Sequence, residues 1–156
     1  MQHRNSLADQ FGDPFGTYVT PGEYRCHYRG SETGWVFGSQ RTFCWFTIAP
    51  DQEGAQKPLI RVYNAITKPF VPRSHNVARD YYAVTERRAP VGVKPDDFLL
   101  DCEILAEVVT VNAKDTPSRH GSSSKDWGPP YSKISAVLKV TAGTPPCRRE
   151  QTNAAS

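Results

Sequence analysis

The chain has 156 residues, 38% of them hydrophobic and 22% charged, which is room for one ordinary domain around one continuous core. Its 13 prolines and 11 glycines assign a good share of that length to loops, and its mean hydropathy is −0.56. No apolar run approaches the ~20 residues of a membrane helix; a soluble, cytoplasmic protein with no membrane partner is expected, and a net charge of +3 permits a polyanionic partner without requiring one.

Residues 1–20 read as an irregular arm, interrupted by Gly12, Pro14 and Gly16. After the Pro21-Gly22 turn, residues 23–29 alternate as a half-buried strand. Tyr24, Cys26 and Tyr28 face the core, and Arg25, His27 and Arg29 face out. A twisted or bulged continuation follows over residues 33–38. The second strand, 41–49, is rich in aromatic residues; a hairpin-type loop leads to a third strand over 59–65. Ser74 is the expected N-cap of a helix over 75–88, in which Val77, Ala78, Tyr81, Tyr82 and Thr85 recur at helical spacing before Pro90.

Residues 98–111 give the longest strand, with Leu100, Cys102, Ile104, Ala106 and Val108 inward and Asp101, Glu103 and Glu107 towards water. Residues 112–130 lack any apolar period, and so long a connection in a compact domain is functional or disordered. Residues 131–141 fit a strand, or a short helix passing into one; a flexible tail occupies 142–156. Charge is unevenly spread. Residues 68–94 carry six cations against Asp80 and Glu86, while residues 95–111 carry five carboxylates and no cation.

Three strands, a helix and two more strands is the order of an OB-fold. The expected architecture is therefore mainly β: an OB-fold-like, five-stranded antiparallel barrel over residues 21–141, with one helix between the third and fourth strands. An unspecialised α+β sandwich gives the same string of elements.

Alternation places Cys44, Phe46 and Ile48 on one face of the second strand and Arg41, Phe43 and Trp45 on the other. Grouping Arg61 and Tyr63 of the third strand with that second face yields two cations and three rings side by side. Bases stack on rings and cations meet phosphates, so such a surface suits single-stranded nucleic acid. Trp35 is a further candidate for it. Lys114, Arg119, Lys125 and Trp127 on the long loop are candidates for backbone capture. The competing interpretation buries both faces, one in the barrel and the other under the helix or the N-terminal arm, making Phe43 and Trp45 core and Arg61 a paired or snorkelling cation.

No catalytic machinery is expected. The carboxylates of 101–107 alternate as a solvated strand face and lack the nearby lysine of a metal-dependent nuclease, and no phosphate loop or nucleophile elbow is present. Cys26, Cys44, Cys102 and His75 lack zinc-ligand spacing. The simpler assignment is three buried thiols with Cys147 in the tail; no cofactor or metal is expected.

The strings Pro21-Gly22-Glu23-Tyr24-Arg25-Cys26, Glu32-Thr33, Phe37-Gly38, the aromatic strand from Phe43 to Ile48, the stretch from Leu59 to Asn64, and Ser74 with its helix resemble a group of small bacteriophage and mobile-element proteins. More distantly, the chain is similar to phage single-stranded DNA-binding proteins with an OB-fold. The resemblance spans roughly residues 20 to 140 and implies binding of single-stranded DNA (or RNA) in replication or recombination, without a cofactor. The chain departs from that group in its positive charge and in a tail that carries Cys147-Arg148-Arg149-Glu150, where many such proteins have an acidic partner-recruiting tail. The alternative is a protein-binding module acting on a host or replication complex, since exposed aromatic and arginine residues also suit protein interfaces; an oligomer is compatible with either.

Overall fold

The computed structural model describes residues 6–36, 38–112 and 129–147. In chain order it contains α1 (Leu7–Phe11), a 3-10 turn (Pro14–Gly16), β1 (Gly22–Val36), β2 (Ser39–Ile48), β3 (Pro58–Asn64), α2 (Asn76–Thr85), α3 (Pro95–Leu99), β4 (Glu103–Val111) and β5 (Tyr131–Ala142). The protein is mainly β. Its five strands form a mixed sheet hydrogen-bonded in the order β1-β2-β3-β5-β4, and β4 returns to β1.

The expected all-antiparallel pairing is corrected at one seam. β3 and β5 run parallel and are joined through the single pair Ile60–Lys133, so the sheet closes through a narrow contact. That direction follows from topology: an odd number of strands taken round a closed sheet cannot alternate in direction at every neighbour.

β1 matches its alternating pattern, with Tyr24, Cys26 and Tyr28 buried. A bulge between Tyr28 and Gly30 then lets the strand continue to Val36. Gly30 has φ of +141°, and a Cβ there would come within 3.2 Å of Leu7, so the bulge and the close seating of α1 both favour glycine. β4 carries Ile104, Ala106 and Val108 into the core beside Phe46, Ile48 and Leu59. Cys26, Cys44 and Cys102 are buried thiols, as expected.

Three local expectations change. The N-cap of α2 is His75, whose Nδ1 accepts from the Val77 amide at 3.1 Å, and not Ser74. The helix ends at Thr85 with Glu86 left-handed at φ 61°, which leaves Arg87 and Arg88 beyond it. Residues 98–102 do not belong to β4. Pro95 opens α3, Asp97 accepts from the Lys94 amide at 2.9 Å, and Asp101 has φ of 62°. This second helix places Phe98 and Leu99 in the core and leaves Leu100 exposed. Finally, β5 is a strand along all of its 12 residues, and Cys147 beyond it packs against the core.

Burial on this scale has a pH consequence. Desolvation pushes the Cys26 thiol up to about 12, and raises Cys44 and the phenols of Tyr28 and Tyr63 as well. In an unfolded chain thiols ionise near ~8.5 and phenols near ~10. Above those values the unfolded chain binds fewer protons than the fold. Stability is therefore full below about pH 8.5 and is lost as pH climbs towards the folded-state values. Urea midpoints at pH 7, 9 and 10.5 should fall slightly from the first to the second, as the unfolded thiols ionise, and clearly at the third; a midpoint unchanged at pH 10.5 contradicts the burial of these groups.

Candidate nucleic-acid interface

The β2–β3 pairing decides which side chains share a surface. Phe43 lies opposite Val62, Trp45 opposite Ile60 and Cys44 opposite Arg61. Directly opposed residues in an antiparallel pair point to the same side. Odd-numbered residues of β2 therefore share the outer face with even-numbered residues of β3. The expected grouping of Arg61 and Tyr63 with Phe43 and Trp45 is corrected: Arg61 and Tyr63 lie on the interior side with Cys44.

On that interior side they build a buried polar clasp with α2. Asp80, 1% exposed, accepts from Arg61 Nε at 2.8 Å and from Nη2 at 3.1 Å. It also accepts from the Tyr63 hydroxyl at 2.6 Å and the Val137 amide at 3.2 Å. Arg61 Nη1 adds a bond to the Ile134 carbonyl at 3.3 Å. Burial acts to lower the Arg61 pKa, but its bonds and attraction to Asp80 outweigh that and leave it raised. Tyr63 is raised far above the phenol range by burial and then by Asp80, so it remains a donor. The clasp ties α2 to β3 and β5 and presents nothing to a ligand.

The outer face is covered as well. Ser6 and Asp9 cap the start of α1 reciprocally, and the Leu7 amide donates to Glu32 Oε1 at 2.8 Å. Phe11 takes the Arg29 guanidinium over its ring at 5.4 Å. Trp45 Nε1 donates to the Gly12 carbonyl at 3.1 Å and is 6% exposed. Phe15 meets Phe43 edge-on with centroids 6.5 Å apart and Tyr131 at 5.3 Å. Further along, the Ser132 amide donates to the Thr17 carbonyl and the Val19 amide to Ser132 Oγ, at 2.7 and 2.8 Å. The arm expected to be irregular is thus a built cover over β1, β2 and β3, and it seals Trp45 while half-burying Phe43. The open hairpin face carrying Phe43, Trp45, Arg61 and Tyr63 does not exist.

An exposed aromatic group persists at the end of the β1–β2 hairpin. Trp35 is 73% exposed, and Arg41, half-buried, pairs across from its neighbour Gly34. Arg41 Nε is buried with no hydrogen-bond partner among the described residues. Lys114, Arg119, Lys125 and Trp127 lie outside the described residues. Arg29, exposed beside this hairpin and bonded to Thr47 Oγ1 at 2.8 Å, was not among the expected contacts, although its outward position was plain in the alternation of β1.

Among the described residues no group of three or more His, Cys, Asp and Glu side chains could hold a metal ion, and no helix is long and apolar enough to cross a membrane. Comparison with protein-family models, curated proteins and solved structures finds no match to this chain.

Proposed function

We propose that this chain is a non-enzymatic single-stranded nucleic-acid-binding protein, acting on DNA in the replication or recombination of a phage or mobile element. The strand order β1-β2-β3-β5-β4, a parallel β3–β5 contact and a helix between β3 and β4 support an OB-fold. In that fold the β1–β2 and β4–β5 loops grip the strand. Here the first of those loops follows Trp35, and the second carries Lys114, Arg119, Lys125 and Trp127. Trp45, Arg61 and Tyr63 are buried and take no part in the contact.

The single observation that carries the proposal is Trp35: an indole 73% exposed near the end of β1, beside the β1–β2 turn. A base stacked on such a ring contributes ~1–3 kcal/mol. Titration of tryptophan fluorescence with oligo(dT) tests it. With about four phosphates neutralised, the log–log salt slope should be near −2.8, so affinity drops about fifty-fold between about 50 and 200 mM salt. No binding at low salt, or binding indifferent to salt, would overturn the proposal in favour of a protein partner.

A further inference from the structure

α2 carries a cationic cleft on the side away from the Asp80 clasp. The cleft has a volume of about 510 Å³ and is lined by Arg73, Ala78, Arg79, Tyr82, Arg88 and Ala89. Arg79 and Tyr82 are one helical turn apart on α2, Arg73 comes from the connector before it and Arg88 from the segment after it. The volume falls within the ~300–1,000 Å³ of small-ligand sites.

Its charge is uncompensated. None of its three arginines forms an ion pair among the described residues, whose pairs are Arg25 with Asp51 and Glu103, His27 with Glu103, and Arg61 with Asp80. No carboxylate lines the cleft. Three guanidinium groups facing one cavity repel one another, and an anion placed among them removes that cost. The planar fork of arginine matches phosphate oxygens bidentately. Tyr82 is 61% exposed, so its ring is open to a planar partner. The arrangement is also held in place. Asp80 is bonded from inside by Arg61, Tyr63 and Val137, which anchors α2 with the adjoining Arg79 and Tyr82 exposed.

We propose that this cleft is a nucleoside-phosphate site, with Arg73, Arg79 and Arg88 on the phosphate and Tyr82 against the base. The same chemistry arises from a free nucleotide or from the phosphorylated end of a strand. The site does not depend on the strand-binding role proposed for Trp35.

Calorimetry on the full chain tests it with AMP, with inorganic phosphate, and with one oligonucleotide carrying either a 5′-phosphate or a 5′-hydroxyl. AMP should bind with one-to-one stoichiometry. The double variant Arg79→Gln/Arg88→Gln should lose at least tenfold in AMP affinity, and Tyr82→Ala should lose several-fold for AMP while leaving inorganic phosphate unchanged. Arg79, Tyr82 and Arg88 are all exposed, so melting temperatures should match the parent chain and serve as the folding control. Trp35→Ala should leave AMP binding intact, which separates this site from the strand surface. A preference for the 5′-phosphorylated oligonucleotide over its hydroxyl form supports the site with a strand end as the source, and AMP binding without that preference supports it with a free nucleotide. No heat with AMP or the 5′-phosphate, or full retention of binding in the double variant, overturns the proposal.

Discussion

Asp80→Ala should cost about 3–5 kcal/mol of folding stability, the loss typical of removing one partner from a buried ion pair. Arg61 would then stand 7% exposed without its counter-ion, and the Tyr63 hydroxyl and Val137 amide would lose their acceptor. Arg61→Ala should cost a similar amount by stranding the Asp80 carboxylate in the same place. The double variant Arg61→Met/Asp80→Leu should recover much of either loss, because it leaves no unpaired charge. Denaturant unfolding of the four proteins checks this. Single variants within about 1 kcal/mol of the parent chain would mean that the clasp is hydrated or unformed.

The two tryptophans of the β1–β2 hairpin should behave in opposite ways. Trp45→Ala removes a ring that is 6% exposed and donates to the Gly12 carbonyl, so it should cost about 3–5 kcal/mol and loosen the seat of the arm. Trp35→Ala removes a ring that is 73% exposed, so stability should change by no more than about 0.5 kcal/mol. Oligo(dT) binding should instead weaken by about five- to a hundredfold, the equivalent of one lost stacking partner. Paired melting and titration experiments separate the effects. If Trp45→Ala unfolded at the parent temperature, the cover over the outer face would be wrong; if Trp35→Ala bound as the parent does, the indole would be no contact.

Short-range pattern carried a good deal of the fold. The alternation of Tyr24, Cys26 and Tyr28, and that of Ile104, Ala106 and Val108, identified core positions because a strand exposes its two faces in strict turn, whereas Leu100, expected in the same row, lies outside β4 and is exposed. The helix around Val77, Ala78 and Tyr81 was legible for the same reason at a different period. Residues 98–102 were misassigned because Phe98 and Leu99 suit a buried strand as well as a buried helical turn, and only Pro95 with the Lys94–Asp97 bond distinguishes them.

The candidate site was far less legible. Alternation says which residues of one strand share a side, but not which sides of two neighbouring strands coincide. That is fixed by the connection between them: the turn over residues 49–57 sets Phe43 against Val62, and a shift of one residue would have set it against Arg61 or Tyr63. Whether a face stays open depends in turn on a segment distant in sequence, here Gly12 over Trp45 and Phe15 over Phe43, more than 25 residues away. The sequence by itself determined the strands, the main helix, most of the inward-facing residues and the three buried thiols, all consequences of local periodicity and hydrophobicity. Tertiary structure alone decided the hairpin register, the parallel seam, the clasp on Asp80 and the covering of the outer face, because each depends on how separate segments meet in space.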